Sequence, residues 1–435
     1  MSAIVLHNVH PFGGKSRDLG IADGKFVSMA HIPSDALQVD CSGLIALPGL
    51  VDLHTHLREP GHPEAETVLS GATAAASGGY TAVFAMANTS PVADSPAAVE
   101  RVAALGRRAG LCDVYPVGAV SVGLNGIHLA DIAGMALSRA QVRMFSDDGK
   151  CVADAALMRD ALMAVHAVGG IVAQHAQDPL LTVGAQVNEG VVSKQLDLPG
   201  WPAMAEEAVI ARDVVMAHHL GARLHICHIS TAGSVEVIRW AKAQGFPVTA
   251  EVTPHHLTLV DELARTKDAV YKVNPPLRTA DDVAAVQAAL VDGTIDVVAT
   301  DHAPHLRQEK AQDWCSAPMG MLGLETSLAL VAEVFVETNR LSWQQVAQRM
   351  SRRPAELLGI TDQHGSDLQP GSPATLCLVD PRRRWKVNPE TLASISANTP
   401  FRGRDFNARV TATMLRGAFT HKADGRLGKW CSPRH

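Results

Sequence analysis

The sequence predicts an α/β protein, a (β/α)8 barrel of the TIM type with a small β domain built from both chain ends. Through the middle of the chain, short apolar segments rich in Val and Ile alternate with longer segments of helical periodicity, which is typical of repeated β-α units and a parallel sheet. Eight such strand segments can be counted. Eight β-α units close into a barrel whose active site lies at the carboxyl ends of the strands.

Each predicted strand is a short run that precedes a loop or a helical segment. In chain order the strands span residues 51–56, 81–87, 112–120, 141–148, 170–176, 223–230, 247–255 and 297–304. Helical periodicity is clearest at 154–167, 202–220 and 280–290. Residues that follow the strands should therefore meet at one mouth of the barrel.

The two ends of the chain differ from the middle. Residues 4–47 and 371–427 contain short alternating stretches separated by Gly and Pro, with strands predicted at 374–379 and 410–416. We expect residues 1–50 and 366–435 to fold together as the small β domain. Residues 51–365 would then form the barrel.

Composition narrows the classes of partner. Of 435 residues, 47% are hydrophobic, and the net charge is -6 with acidic and basic residues interspersed. Because no basic patch with interleaved aromatic residues occurs, we expect a small polar ligand and no nucleic acid. The N-terminus lacks a basic leader followed by an apolar stretch, and no uncharged apolar run reaches ~18 residues. We therefore expect a cytoplasmic protein without a membrane partner.

The seven cysteines are scattered along the chain and form no C-x-x-C pair. This pattern does not resemble a disulfide framework or a structural zinc site. We expect reduced cysteines that mostly serve as small buried hydrophobic residues.

Ligand-type residues follow several predicted strands. The first strand ends in the sequence DLHTH, and residues two apart on a strand share a face, so His54 and His56 should point the same way. This pair alone is also compatible with two polar residues at a strand end. A metal site is favoured because His175, His228 and Asp301 follow the fifth, sixth and eighth strands at the same level. Four imidazoles and a carboxylate suit zinc with an open position for water.

The fourth strand adds two adjacent carboxylates, Asp147 and Asp148, one of which would bridge two metal ions. Alternation lets only one of them face the barrel interior, and the residues leave both choices open. Zinc lowers the pKa of a bound water from 15.7 to about 7, which makes hydroxide available at neutral pH. Such a site could hydrolyse an amide.

Other histidines near these positions carry less weight. His225 lies three residues before His228, so a regular strand turns it to the opposite face. His255 and His256 follow the seventh strand, and their relation to the site stays open at this point.

Ten stretches of sequence form an ordered series of motifs. They are PGLVDLHTHLREPG from residue 48, NTSPVADS from 88, FSDDG from 145, HAQD from 175, ICHIS from 226, EVTPHHL from 251, NPPLR from 274, ATDHAPH from 299, GLET from 323 and NTPFRG from 398. The series resembles the dihydroorotases of the amidohydrolase superfamily, in the type I class that uses an aspartate in place of a carboxylated lysine as the metal bridge. The resemblance covers nearly the whole chain, and the order of the motifs is highly specific.

The resemblance implies an enzyme with one or two Zn²⁺ ions per chain that interconverts N-carbamoyl-L-aspartate and L-dihydroorotate in pyrimidine synthesis. It makes Asp301 both a metal ligand and the catalytic base, and it makes Asp148 the bridge because the separation from His175 resembles the spacing in the family. The other implied metal ligands are His54, His56, His175 and His228. The implied substrate contacts are Arg58, Asn88 and His305 to the carboxylate and Asn274 to the ring.

Three stretches depart from the motifs usual in the family. MANT replaces MPNT, which puts Ala87 before Asn88 and would let that loop shift. HAQD replaces HAED, so Gln177 removes a negative charge near the metals. APMGMLG replaces APFGIVG over residues 317–323, with an open effect on the substrate pocket. None of the three removes a metal ligand.

Two other functions stay open. Allantoinases and hydantoinases share the H-x-H and Asp geometry but typically carry a carboxylated lysine on the fourth strand, where this chain has Arg143 and two aspartates, with Lys150 beyond. A non-catalytic subunit of aspartate transcarbamoylase would lose metal ligands, and all of them are present here. The resemblance is also compatible with a homodimer and with an association with aspartate transcarbamoylase.

Overall fold

Runs of β-branched and small apolar residues form a closed parallel barrel in the computed structural model, which describes residues 3–423. Its eight strands are Leu50–Thr55, Tyr80–Ala85, Asp113–Pro116, Met144–Phe145, Ile171–Gln174, Leu224–Ile226, Val248–Val252 and Val297–Val298. The first three strands pair with one another, and so do the last five. Parallel bridges from Gly118 to Phe145 and from Thr55 to His302 close the two seams. The predicted barrel is confirmed.

A helix follows every barrel strand and packs around the outside. The eight helices are Val68–Ser77, Pro96–Ala109, Ile132–Leu137, Ala155–Ala167, Met204–Leu220, Ala232–Ala243, Ala280–Asp292 and Ser327–Val331. The fourth shows the pattern clearly, since it buries Leu157, Ala161 and Val165 on one face. Its first turn is capped by Asp154, whose side chain accepts from the Leu157 backbone N–H. The three helices predicted from periodicity are all present.

Both chain ends contribute to one mixed sheet beside the barrel. In spatial order its strands are Ala418–Lys422, Arg409–Leu415, Leu376–Asp380, Ile45–Pro48, Ile4–Pro11, Arg17–Ala22 and Lys25–Val27, with Leu37–Asp40 also paired to Ile4–Pro11. The two ends join where Ile45–Pro48 runs antiparallel to Leu376–Asp380. The predicted β domain from both ends is therefore confirmed as part of the fold. The division at residues 50 and 366 remains a proposal, and residues 424–435 lie outside the described part.

The chain between two strands of this sheet crosses back to the barrel. Val387, Phe401 and Phe406 pack with Leu259 and Met321 in a separate apolar cluster. This crossing brings Asn398 to the active-site loops, where it donates to the Ala303 carbonyl (2.9 Å).

The remaining elements are short and lie mostly in loops. The helical ones are Met29–His31, Val122–Leu124, Val191–Leu196, Asp261–Thr266, Ala269–Tyr271, Arg307–Lys310, Ala332–Val336, Trp343–Ala347, Gln348–Arg352, Arg353–Leu357 and Pro389–Thr391. The strand pairs are Val187–Asn188 with Gly200–Trp201 and Trp385–Lys386 with Asp405–Phe406. Among residues 3–423, none of the helices combines the length and the apolar character that crossing a membrane requires.

Several strands end earlier than the sequence predicts. The sixth stops at Ile226 and the eighth at Val298. Beyond them His228 and Asp301 have φ angles of 30° and 48°, in the left-handed region that L-residues adopt only under constraint. The chain turns there to aim side chains at the barrel mouth, so strand alternation does not apply to these two residues.

Most of the described cysteines are buried, as expected. Cys41, Cys112, Cys227 and Cys377 are buried, whereas Cys151 is half-buried and Cys315 is exposed in the loop before Ala317. Cys431 lies outside the described residues. All described cysteines are free thiols.

Candidate metal centre and active site

Asp148 lies at the centre of four imidazoles at the barrel mouth. One carboxylate oxygen, Oδ2, lies 3.3 Å from His54 Nε2 and 3.2 Å from His56 Nε2. The other, Oδ1, lies 3.2 Å from His175 Nδ1 and 3.3 Å from His228 Nε2. A single carboxylate therefore faces two pairs of imidazoles, one pair on each oxygen.

Asp301 faces the first of these pairs. Its Oδ1 lies 3.0 Å from His56 Nε2 and 3.5 Å from His54 Nε2. On the other side, His175 Nδ1 and His228 Nε2 approach to 2.9 Å. The structure thus brings together all six residues that the sequence suggested as metal ligands.

The donor atoms fit divalent cations. Two groups share Asp148, one with His54 and His56 and the other with His175 and His228, and within each group the donor atoms lie within 4.8 Å of one another. A tetrahedral ion with ligand atoms about 2.1 Å away separates those atoms by about 3.4 Å, close to the observed spacing. His54 Nε2 is buried without a hydrogen-bond partner, as expected of a ligand atom.

Asp147 points elsewhere. Its Oδ1 accepts hydrogen bonds from the backbone N–H groups of Val120 (2.8 Å) and Ser121 (2.9 Å), and its Oδ2 accepts from the Ser121 hydroxyl. Because these donors occupy the carboxylate, Asp147 organises the loop after the third strand, and Asp148 alone of the pair faces the imidazoles.

Charges in the cluster are strongly interdependent. Burial by itself would raise the pKa of Asp148, but the imidazoles, with His54 first, hold it well below its ordinary value. The pKa of Asp301 is likewise lowered by His54 and His56 against the effect of burial. Burial would lower the pKa of His54, yet Asp148 and Asp301 raise it well above its ordinary value. Two buried carboxylates therefore demand positive charge, which a divalent cation supplies.

Three of the imidazoles are oriented by a partner on the ring nitrogen that faces away from Asp148. The pairs are His54 Nδ1 with Glu251 Oε1 (2.7 Å), His56 Nδ1 with Asn88 Oδ1 (2.9 Å) and His175 Nε2 with Gln177 Oε1 (2.8 Å). Because each partner atom is an acceptor, that ring nitrogen carries the proton and the other is free to bind a metal. Outer partners of this kind fix the tautomer of a metal-binding histidine.

Glu251 is a functional residue that the sequence reasoning missed. Its Oε1 also accepts from the His228 backbone N–H (3.3 Å), and its Oε2 accepts from His225 Nε2 (3.1 Å). His225 therefore does not face the cluster but supports it through Glu251. A buried glutamate within the apolar seventh strand was the available signal, since a carboxylate in a barrel interior requires partners.

The two ambiguous histidines have different surroundings. His256 is held by Thr253 Oγ1 (2.8 Å) and the Pro275 carbonyl (3.1 Å), which is a structural role. His255 is buried with Nε2 unpartnered. Burial lowers its pKa to about 4.

The four sequence-predicted substrate contacts line one cavity of about 210 Å³ together with His56, Asp148, His175 and Asp301. They are Arg58, Asn88, Asn274 and His305. Arg58 donates through Nε to the Pro304 carbonyl (3.0 Å), and its Nη2 lies 3.3 Å from His305 Nε2. No carboxylate among residues 3–423 forms an ion pair with this guanidinium. Burial, followed by the charges of Arg58 and Lys310, lowers the pKa of His305 to about 3, so this imidazole is neutral.

The departures from the family motifs affect the cavity unequally. The Ala87 carbonyl accepts from the Ala93 N–H (3.0 Å), which closes the loop that carries Asn88. Met319 lines the cavity, and its carbonyl lies 2.8 Å from His305 Nε2. Met321 and Leu322 are buried instead in the protein core.

Solved structures share this architecture. A dihydropyrimidinase from Brevibacillus agri superposes with a TM-score of 0.83 at 23% identity, covering 96% of this chain and 94% of that one. An L-hydantoinase from Arthrobacter aurescens gives a TM-score of 0.83 at 25% identity, covering 96% of each chain. The barrel, with buried histidines and aspartates gathered at its strand ends, defines a metal-dependent cyclic amidohydrolase.

Sequence comparison then identifies the family. The model of the Dihydro-orotase-like family matches residues 43–234. The dihydroorotase of Streptomyces coelicolor is 56% identical over 430 residues, covering 98% of this chain and 100% of the relative. That of Mycobacterium tuberculosis is 50% identical over 429 residues, covering 98% and 99%. The chain belongs to the dihydroorotase family, which confirms the resemblance seen in its motifs.

Proposed function

We propose that the protein uses zinc to interconvert N-carbamoyl-L-aspartate and L-dihydroorotate in pyrimidine synthesis. The observation that carries this proposal is the partly buried Arg58 guanidinium, which has no carboxylate partner among the described residues and shares a cavity with Asp148 and Asp301. An unpaired buried charge is costly, and a substrate carboxylate would relieve that cost. A cyclic amide that carries a carboxylate therefore suits this cavity, with the amide at Asp148 and Asp301 and the carboxylate at Arg58.

In the proposed site zinc would be held by His54, His56, Asp148 and Asp301 on one side and by Asp148, His175 and His228 on the other, which would make Asp148 the bridge. Zinc, when bound, supplies hydroxide at neutral pH and polarises the scissile carbonyl. An aspartate bridge corresponds to the type I class. Arg143, the basic residue of the fourth-strand region, supports this proposal because its side chain donates to the Leu358 carbonyl (2.9 Å) and not to the cluster.

Asp301 is the proposed base. Its Oδ1 is turned toward His54 and His56, and its Oδ2 would take the proton from the attacking water. The water oxygen bonds to the ring carbonyl carbon, the carbon–nitrogen bond breaks, and Asp301 returns the proton to the leaving nitrogen. In ring closure the same carboxylate removes a proton from the attacking ureido nitrogen and delivers one to the departing oxygen.

The substrate carboxylate would be held by three residues. Arg58 offers a planar fork of N–H donors, which can pair with both oxygens of a carboxylate. Asn88 commits Oδ1 to His56, so its Nδ2 is the donor left for a ligand. Neutral His305 completes this end without adding a second charge. Asn274 contacts the ring.

The test is ring closure and hydrolysis by the purified full chain, alone and with aspartate transcarbamoylase. We expect turnover of dihydroorotate by the chain alone, and much slower turnover of dihydrouracil, which lacks the carboxylate. Equal turnover of dihydroorotate, dihydrouracil and allantoin would overturn the substrate assignment. A chain active only in the mixture would show that a partner completes the site. We further propose a cytoplasmic location, tested by cell fractionation, and a homodimer, tested by sedimentation of the purified chain.

A further inference from the structure

Asn88 and Asn274 present opposite hydrogen-bonding groups to the same cavity. Asn88 uses its carbonyl oxygen to accept from His56 Nδ1 (2.9 Å), which leaves its amino group for a ligand. Asn274 uses its amino group instead, donating through Nδ2 to Gln177 Oε1 (3.1 Å). The remaining Oδ1 of Asn274 is buried and has no hydrogen-bond partner.

A short chain of hydrogen bonds fixes the amide of Gln177. The Thr182 hydroxyl donates its single proton to the Asp178 carbonyl (2.8 Å), so toward Gln177 it can only accept. Gln177 therefore directs Nε2 to Thr182 Oγ1 (2.9 Å) and turns Oε1 to the other side. A flipped amide would place two acceptors against each other at Thr182.

The fixed Oε1 of Gln177 serves two active-site residues at once. It accepts from His175 Nε2 (2.8 Å), which leaves His175 Nδ1 as the atom that faces Asp148, and from Asn274 Nδ2. Because Gln177 Oε1 can only accept, Asn274 must turn its amino group to Gln177. Its carbonyl oxygen is then left as an acceptor for the ligand. A buried acceptor without a partner destabilises a protein, so a donor on the ligand is the missing complement.

We propose that Gln177 is a positioning residue that holds Asn274 as an acceptor for an N–H group of the substrate. This inference rests on the proposed function, since the cavity must bind a ring that carries both a carboxylate and N–H groups. The Asn88 amino group and Arg58 then recognise the carboxylate, while Asn274 recognises a ring N–H. The opposite polarities of the two asparagines allow one orientation of the ring and oppose the reverse.

The experiment uses zinc-loaded protein, dihydroorotate and its two singly N-methylated forms, in the parent and in variants. Gln177→Leu removes the acceptor, and Asn274→Ala removes the contact itself. Gln177→Glu keeps an acceptor toward Asn274 and His175, and the Thr182 hydroxyl can turn from the Asp178 carbonyl to donate to the second carboxylate oxygen. Exposed Gln344 provides a matched control in Gln344→Leu. The metal content of each sample is measured by elemental analysis, so that loss of zinc is distinguished from loss of substrate binding.

In the parent, we expect methylation of one ring nitrogen to weaken binding about tenfold. Gln177→Leu and Asn274→Ala should weaken dihydroorotate binding by about the same factor. These two variants should then bind that methylated form as tightly as they bind dihydroorotate. Gln177→Glu should restore most of the binding, and Gln344→Leu should match the parent. The rescue by glutamate separates positioning from a general loss of packing.

Two results would overturn the inference. In the first, each methylation weakens binding to Asn274→Ala by the same factor as it weakens binding to the parent. In the second, Gln177→Leu with full zinc content binds dihydroorotate as tightly as the parent does. A parent chain that fails to turn over dihydroorotate would instead refute the proposed function, so the two failures are distinguishable.

Discussion

The two ends of the active-site cavity balance their charges differently. At one end, the carboxylates of Asp148 and Asp301 lie among four imidazoles, three of which are held by outer partners. At the other end, Arg58 has no anionic partner among residues 3–423, and the neighbouring His305 is neutral because burial lowers its pKa to about 3. The first end can therefore bind cations and the second an anion. This difference suits a metal centre that lies beside a small anionic substrate.

The ends also differ in how they are held. The metal end rests on the barrel strands and on Glu251 inside the barrel. The other end rests on loops, and the loop 314–320 is fixed by two buried lysine side chains. Lys272 Nζ donates to the carbonyls of Trp314 (2.6 Å) and Ala317 (2.8 Å), and Lys310 Nζ donates to that of Gly320 (3.1 Å). The two ends are therefore held by different parts of the fold.

The largest effect should follow removal of a ligand at the metal end. His54→Ala should lower both the metal content and the turnover of dihydroorotate, the latter by about a thousandfold or more, because a bound cation contributes several kcal/mol of transition-state stabilisation. Elemental analysis and a kinetic assay on the same sample provide the measurement. His166→Ala, on the exposed face of an outer helix, is the control. If His54→Ala retained the metal content of the parent, His54 would not be a metal ligand.

Substitution of the proposed base should lower kcat more than it weakens substrate binding. Asp301→Asn keeps the shape of the side chain but cannot accept the proton, so kcat should fall by about 10² to 10⁴. KM should change much less, because Arg58 and the asparagines still hold the substrate. A variant with parent kcat, or one in which only KM changes, would transfer the base role to another group.

At the anion end, geometry should matter as well as charge. Arg58→Lys keeps the positive charge but loses the planar fork, and kcat/KM for dihydroorotate should fall about 30-fold or more. The same substitution should have little effect on dihydrouracil, which offers no carboxylate. Equal losses with both substrates would mean that Arg58 supports the cavity rather than recognising an anion.

The neutral state of His305 predicts a pH dependence of stability. The pKa of His305 falls from 6.5 to about 3 on folding, so between these values the unfolded chain binds more protons and stability decreases as pH falls. His305→Gln should reduce the loss of unfolding free energy between pH 7 and 5.5 by about 1 kcal/mol. Chemical unfolding at the two pH values measures it. Parallel pH profiles for variant and parent would contradict a buried neutral imidazole.

Strand periodicity predicted the barrel, and alternation placed His54 and His56 on one face. His228 and Asp301 reach the predicted mouth from beyond the ends of their strands, with positive φ angles that no sequence pattern revealed, so alternation does not describe their orientation. The choice between Asp147 and Asp148 depended on hydrogen bonds from a different loop. Alternation within a strand contains no information about such partners.

Other features depended on contacts between distant segments. The role of Glu251 follows from contacts with His54 and His225, which lie on other strands. The return of the chain to the barrel near Asn398 depends on apolar packing between segments far apart in sequence. Local propensity gives the order of the elements, whereas the surroundings of each functional side chain are set by tertiary packing.

The most direct test of the metal-centred account is a single titration on the parent protein. The chain is freed of metal by a chelator, its metal content is verified, and zinc is added back while dihydroorotate turnover and bound zinc are measured together. We predict no turnover in the metal-free sample and recovery that saturates at one or two bound zinc ions per chain. Full turnover in a sample verified to be metal-free would contradict the account.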